Sequence, residues 1–209
     1  MSLQNVSDLI TRGKAKLVPA AVQEALDEGI AAPEILDTMI GAMDVVGEKF
    51  KNNEIFVPEM LISAKAMKKG VEVLKPHLAS GAVGSMGKMI MGTVAGDLHD
   101  IGKNLVIMMI ESAGFEVIDL GVDVPIERFI SAYEENPDTK IIGCSALLTT
   151  TMPALEETVA AINKQPWRDK VKVMVGGAPI TQEFADKIGA DAYTEDAASA
   201  AIMAKKLVS

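Results

Sequence analysis

Through the first 80 residues, hydrophobic side chains recur at the three- and four-residue spacing of amphipathic helices. The first such run is short and covers residues 6–10, and three longer runs follow it. Their ends coincide with residue types that favour helix termini. These residues are Gly29, Pro33, Asn52, Asn53, Pro58 and Pro76. The pattern predicts a small bundle of four helices over residues 1–80.

The pattern changes after residue 87, where short apolar runs alternate with helical segments. The predicted strands cover residues 89–94, 117–120, 141–145, 171–175 and 190–193. Strands that alternate with helices are typical of a parallel sheet. We therefore predict an α/β domain over residues 88–209, a flavodoxin- or Rossmann-like doubly wound sheet of five parallel strands in the order 2-1-3-4-5. Between the two patterns, the stretch SGAVGS indicates a linker, and we expect a hinge over residues 80–87.

Composition narrows the classes of function. Hydrophobic residues make up 49% of the chain, which is enough for a packed core, and the formal charge of −9 disfavours nucleic acid as a partner. No apolar run reaches the roughly 20 residues of a membrane span. The N-terminus lacks the features of a secretory signal, and the single cysteine rules out an internal disulfide. We expect a cytoplasmic protein with no membrane or nucleic-acid partner.

The end of the first predicted strand carries the most distinctive side chains. His99 stands between Asp97 and Asp100, so it could act as a base or as a metal ligand whose far ring nitrogen bonds a carboxylate. The alternative is that one aspartate caps the next helix and His99 is an ordinary surface residue. The chain has two histidines, His77 and His99, which excludes sites built from several histidines.

The third and fourth strands also end in residues that could face a ligand. Hydroxyl side chains cluster after the third strand, at Ser145 and at Thr149–Thr151, although such residues also commonly cap helices. The fourth strand ends in Gly176 and Gly177, which allow a ligand to approach the backbone but also form ordinary turns. We expect Cys144 to be a small buried hydrophobic residue.

Together these strand ends form the pattern D-x-H-x-x-G, then S-x-L, then G-G. The matching residues are Asp97, His99, Gly102, Ser145, Leu147, Gly176 and Gly177. The pattern resembles the cobalamin-binding domain shared by methionine synthase, coenzyme-B12 mutases and the corrinoid proteins of methanol and methylamine methyltransferase systems. Residues 46–50 and 55–60 resemble the four-helix cap that precedes this domain in methionine synthase and in the stand-alone corrinoid proteins. The resemblance thus extends over nearly the whole chain.

The resemblance implies a cobalamin or related corrinoid cofactor, with His99 as the lower axial ligand of cobalt in place of the cofactor's own base. Asp97 would accept the other ring N–H of His99, and Thr151 would support Asp97. The nucleotide tail would lie between strands one and four. Phe56 of the cap would cover the upper face. The remaining residues implied at the cofactor are Asp100, Gly102, Ser145, Leu147, Thr149, Gly176 and Gly177.

The implied function is that of a methyl carrier rather than a complete enzyme with catalytic residues of its own. It would take a methyl group from a substrate-specific methyltransferase and present it to a second one acting on tetrahydrofolate or coenzyme M, with a reductive activator as a further partner. The methyl donor stays open. Alternatives are the small subunit of an adenosylcobalamin mutase, which lacks the cap, and a cobalamin sensor, which normally carries a DNA-binding domain. A receiver domain without cofactor would leave the histidine and glycine pattern unexplained.

Overall fold

The computed structural model describes residues 2–78 and 86–208, which form two compact units. One unit holds the N-terminal helices together with Glu111–Phe115, and the other holds Met86–Ile110 and the chain from Glu116 onward. Of the predicted hinge over residues 80–87, positions 80–85 lie outside the described residues.

The N-terminal unit is the predicted bundle of four helices. Its helices are α1 (Ser2–Thr11), α2 (Val18–Asp27), α3 (Ala32–Lys51) and α4 (Val57–Leu74), and a short 3₁₀ turn follows at Lys75–His77. Apolar side chains from all four helices, such as Ile10, Val22, Met39 and Met67, are fully buried. Gly70 of α4 lies so close to Met39 and Val18 that a Cβ atom there would clash with both side chains, so this glycine allows α4 to pack tightly on α2 and α3.

The second unit is a five-stranded sheet in the predicted order β2-β1-β3-β4-β5. Its strands are β1 (Gly87–Thr93), β2 (Phe115–Asp119), β3 (Thr139–Ser145), β4 (Lys172–Gly176) and β5 (Ala192–Tyr193). The connecting helices are α5 (Ile101–Ser112), α6 (Ile126–Glu135), α7 (Met152–Asn163) and α8 (Gln182–Ile188), and α9 (Ala197–Val208) follows β5. The central strands are nearly continuous runs of buried apolar residues, as expected for a parallel sheet covered on both faces.

The register of the sheet brings the ends of three strands side by side. Thr93 of β1 pairs with Ser145 of β3, and Ser145 in turn pairs with Gly176 of β4. The region expected to hold the nucleotide tail, between strands one and four, thus contains the end of β3, in agreement with the predicted strand order; the position of the tail stays a prediction. A ligand at this edge of the sheet therefore meets the end of β3, with Ser145, between the other two strands.

No helix within the described ranges combines the length and the apolar character that a membrane crossing requires.

Candidate functional site

At the carboxyl edge of the sheet, two hydroxyl side chains connect β1, β3 and the segment that carries His99. The Thr93 hydroxyl donates to the backbone carbonyl of His99 at 3.0 Å, and its oxygen lies 2.9 Å from the Ser145 hydroxyl. Since the single proton of Thr93 is used on His99, the Ser145 hydroxyl donates to Thr93. Thr93 was missed in the sequence, where it lies inside the predicted strand 89–94 and nothing distinguishes it from its neighbours.

Asp97 is the centre of the site. Its carboxylate is fully buried and accepts four hydrogen bonds. One oxygen, Oδ1, accepts from the Nδ1 (2.7 Å) and the backbone N–H (3.1 Å) of His99. The other, Oδ2, accepts from the backbone N–H of Leu147 and from the hydroxyl of Thr151, both at 2.7 Å. The structure thus brings Asp97, His99, Leu147 and Thr151 together, in the pairing that the resemblance implied for Asp97.

These contacts fix the ionisation of Asp97 and the proton position on His99. Burial by itself would raise the pKa of Asp97, but the hydrogen bonds from Leu147, Thr151 and His99 outweigh it and hold that pKa well below its usual range. An ionised carboxylate only accepts hydrogen bonds, so Nδ1 of His99 carries a proton. In the neutral ring the lone pair is then on Nε2, the nitrogen through which histidine can bind a metal.

The His99 side chain is about half exposed, at 49%, so Nε2 can meet a ligand while Nδ1 is held by the buried Asp97. Large apolar side chains are also exposed close to His99 in the sequence: Leu98 at 72% and Ile101, the first residue of α5, at 78%. Leu147 and Leu148, which follow β3, are exposed to a smaller extent. Exposed apolar residues that cluster around one polar group are typical of a ligand site. The sequence offered a signal for them, because Leu98 and Ile101 interrupt an otherwise polar loop.

The three glycines of the motif have different roles. Apart from its chain neighbours and the nearby backbone of its own helix, a Cβ atom on Gly102 would meet no protein atom within 4 Å, so packing does not require glycine there and the space is open to a ligand. Gly177 has φ +131° and lies against the Ala146 carbonyl, with which a Cβ atom would clash, so it is required by the fold. A Cβ atom on Gly176 would make only ordinary contact with the Thr194 carbonyl, at 3.5 Å.

Other residues predicted at the site are placed as follows. Asp100 is exposed and accepts a 3.2 Å bond from the Asn104 side chain at the start of α5, so it contacts that helix rather than the His99 ring. Thr149 is exposed in the 3₁₀ turn before α7. Phe56, the residue before α4, is exposed at 66% in the helical unit. The roles of these three residues at the cofactor stay predictions.

Cys144 is buried, as expected, and its burial raises the pKa of the thiol to about 12. It therefore stays protonated near neutral pH and is a poor candidate for a nucleophile or metal ligand.

The site suits a metal that is coordinated mainly by a cofactor and receives few ligands from the protein. Among residues 2–78 and 86–208, no group of three or more histidine, cysteine or acidic side chains could hold a metal ion. A corrin ring supplies four nitrogen ligands to its cobalt, so a single histidine with a fixed tautomer, an apolar surround and open space at Gly102 fit a corrinoid.

The fold and this site define a cobalamin-binding protein, and comparison with known families agrees. Two family models, each described as a B12 binding domain, match residues 87–202 and residues 3–75. The chain belongs to this family of B12-binding corrinoid proteins, and its cofactor is a cobalamin-type corrinoid. The match to residues 3–75 also places the helical unit within the family pattern.

Individual relatives match over the whole chain. The dimethylamine corrinoid protein of Methanosarcina barkeri is 46% identical over 209 residues, covering 99% of this chain and 97% of the relative. The crystal structure of a cobalamin-binding protein from Desulfitobacterium hafniense DCB-2 is 30% identical, with a TM-score of 0.83 and coverage of 99% and 98%. The methanol:cobalamin methyltransferase complex of Methanosarcina barkeri includes a chain with 28% identity and a TM-score of 0.85, covering 99% of this chain and 79% of that one.

Proposed function

We propose that this chain is the methyl-carrying corrinoid protein of a methylamine methyltransferase system, with dimethylamine as the methyl donor of its partner enzyme. The observation that carries the proposal is the 46% identity over 209 residues to a dimethylamine corrinoid protein, together with the buried Asp97 bonded to His99. Relatives named for dimethylamine from two further Methanosarcina species are 43–44% identical over nearly the full chain.

In this function the protein holds and orients the cofactor. His99 would bind cobalt through Nε2, while Asp97 fixes the ring and Thr151 holds Asp97. When bound, the corrinoid supplies the cobalt centre that takes up and releases the methyl group. The apolar side chains of Leu98 and Ile101 would lie against the macrocycle and keep water away from it. Ser145 and Thr149 offer hydroxyls, and Gly176 offers room, for the nucleotide tail.

A carrier needs at least two protein partners. The first is the methyltransferase that acts on the methyl donor, and a methyltransferase partner is supported by the similarity to a chain of the methanol:cobalamin methyltransferase complex. The second would transfer the methyl group to tetrahydrofolate or coenzyme M, and a reductive activator would restore inactive cofactor. We place this activity in the cytoplasm, in keeping with the single buried cysteine.

The mutase-subunit alternative is less well supported. A family model covers residues 3–75, so the helical unit is part of what this chain shares with its relatives, whereas the mutase subunit weighed as an alternative lacks such helices. The match to the dimethylamine corrinoid protein likewise runs through both units, with 97% of that protein covered.

Methyl transfer from defined donors tests the proposal. The protein is loaded with corrinoid under reducing conditions and mixed in turn with dimethylamine, monomethylamine or methanol, each with its own methyltransferase. We expect methylation of the cofactor, followed by absorbance, to be fastest in the dimethylamine system. Preference for methanol or monomethylamine would contradict the assigned donor, and no methylation in any system, with the cofactor fully bound, would contradict the carrier function.

A further inference from the structure

The segment that carries His99 is held on one side by the buried contacts of Asp97 and on the other by the loop between β2 and α6, residues 120–125. The backbone of this loop makes several hydrogen bonds to the end of β1. Thr93 N–H donates to the Gly121 carbonyl at 3.0 Å, and Val124 N–H donates to the Thr93 carbonyl at 3.0 Å. The proposed function uses neither this loop nor its side chains.

Asp123 connects this loop to the residues directly before His99. Its carboxylate oxygen Oδ1 accepts from the Gly96 N–H at 2.7 Å. Its own backbone N–H donates to the Asp97 carbonyl at 2.9 Å. One residue therefore holds both Gly96 and the backbone of Asp97, the side chain of which holds the His99 ring.

The backbone of Asp123 is in the left-handed region, with φ 52°. Among the described residues, Asn53 in the helical unit, with φ 58°, is the other residue besides glycine in this region. Glycine would adopt such a backbone with less strain, but it has no side chain to accept the Gly96 N–H. Aspartate and asparagine both tolerate this conformation and offer an acceptor oxygen.

The other end of the loop is anchored to α5. Lys103 is almost completely buried, and its ammonium group lies 2.7 Å and 2.8 Å from the two carboxylate oxygens of Asp119. Asp119 Oδ1 also accepts from the Gly121 N–H at 2.9 Å. The lysine end of this pair is buried, although the Asp119 side chain is 43% exposed, so separating the partners would leave a buried lysine charge unpaired. Asp123 thus projects from a loop that is itself fixed.

We propose that Asp123 is a positioning residue for the cobalt ligand: its carboxylate holds Gly96, and its backbone holds Asp97, so that the His99 ring is in place before the cofactor binds. The proposal rests on His99 being the ligand. Because Asp123 holds the exposed segment around His99 in place, less conformational entropy is lost when the cofactor binds.

Three variants separate the possible contributions of Asp123. Asp123→Asn keeps an acceptor oxygen and tolerates the left-handed backbone, Asp123→Gly keeps the backbone but loses the acceptor, and Asp123→Ala loses both. Asn53→Gly is the matched control, because it removes the strain of the same left-handed backbone conformation at a position in the helical unit.

The first measurement uses the full-length protein without cofactor. Solvent exchange of the Gly96 amide, followed by NMR, should be about tenfold faster in Asp123→Gly than in wild type, as expected for the loss of a hydrogen bond to a charged acceptor. Asp123→Asn should stay within about threefold of wild type, since a neutral acceptor is weaker than a charged one. Asn53→Gly should leave Gly96 unchanged. Equal Gly96 exchange in wild type and Asp123→Gly would overturn the proposal, whatever the identity of the cobalt ligand.

The second measurement is the affinity for cob(II)alamin and the share of bound cofactor that shows nitrogen coupling from histidine by paramagnetic resonance. Asp123→Gly should bind about tenfold more weakly and show a smaller share of histidine-coupled cobalt, while Asp123→Asn largely restores both. Unchanged affinity and coupling in Asp123→Gly would overturn the positioning role. Absence of histidine coupling in wild type would contradict the ligand assignment instead, so the two failures are distinguishable.

Discussion

Thr151 and Asp97 are 54 residues apart in the chain, yet their side chains share a buried hydrogen bond of 2.7 Å at the edge of the sheet. The Thr151 oxygen also accepts from the backbone N–H of Leu148 at 3.3 Å, while its single proton is donated to Asp97. The bond joins the turn after β3 to the segment after β1. It therefore connects the two loops on which the proposed ligand residue and its carboxylate partner depend.

We expect Thr151→Val to lower the free energy of unfolding by about 1–3 kcal/mol, because it leaves the Asp97 carboxylate with one donor fewer in a buried site. Corrinoid affinity should fall as well, since Asp97 no longer holds His99 as firmly. Thr158→Val is the control: Thr158 is also buried, but its hydroxyl donates to the Ala154 carbonyl within α7. Urea titration of both variants measures the stability, and spectral titration with corrinoid measures the affinity. A loss of affinity that is equal in the two variants would contradict the special role of Thr151.

Two glycine substitutions should change the stability of the fold in opposite directions. In Gly102→Ala the added methyl group has open space around it, and alanine replaces glycine in the first turn of α5. The free energy of unfolding should therefore rise by up to about 1 kcal/mol. Corrinoid binding should weaken about tenfold if the macrocycle occupies this space. Gly177→Ala should instead lose at least about 2 kcal/mol of stability, because of its φ of +131° and the clash with Ala146.

The single tryptophan, Trp167, stacks on Tyr133 in the α/β unit and reports unfolding by fluorescence. Applied to both glycine variants, this measurement gives their stability without cofactor. Gly102→Ala with wild-type corrinoid affinity would contradict the placement of the cofactor beside Gly102.

Cys144 should be unreactive in the folded protein. Burial raises the pKa of its thiol to about 12, so almost no thiolate forms at pH 8, and a thiol reagent should react only after unfolding. In the unfolded chain a thiol ionises near pH 8.5. The stability that the protonated thiol contributes is therefore complete below about pH 8.5 and is lost as the pH rises towards about 12.

The matching measurement compares wild type with Cys144→Ala in urea between pH 7 and pH 11. The packing loss of the alanine variant is the same at every pH, so the stability difference between the two proteins should shrink on the alkaline side. Rapid modification of native Cys144 at pH 8 would show that the thiol is accessible and would refute this prediction.

Phe56 is exposed in the helical unit, and its contact with the upper face of the cofactor stays a prediction. Phe56→Ala should speed the photolysis of bound methylcobalamin, because an apolar cover over the methyl group is lost. Ile62→Ala, which truncates an exposed apolar residue within α4, is the control. The rates are compared at equal cofactor occupancy, and equal rates in wild type and Phe56→Ala would exclude this contact.

Much of this architecture follows from the sequence alone. Proline and glycine positions such as Pro58 and Gly29 indicate helix ends within a residue or two, and alternating apolar runs indicate the five strands. The strand order follows from the doubly wound fold type that this alternation indicates. The site residues with a distinctive pattern, Asp97 and His99, are recognisable because the family resemblance rests on them.

What the sequence does not reveal is how residues distant in the chain meet in space. Asp123 looks like an ordinary loop residue, and its contact with Gly96 depends on the pairing of β1 with β2 and on a left-handed backbone. Lys103 looks like a surface residue of α5 until the structure shows it buried against Asp119.

The most direct test of the account concerns the ligand of cobalt. Paramagnetic resonance of the protein loaded with cob(II)alamin should show coupling from one axial nitrogen that responds to isotopic labelling of histidine. The coupling should disappear in His99→Ala and persist in His77→Ala, the variant of the one other histidine. Coupling that instead follows a labelled benzimidazole of the cofactor, or that survives in His99→Ala, would contradict the assignment of His99.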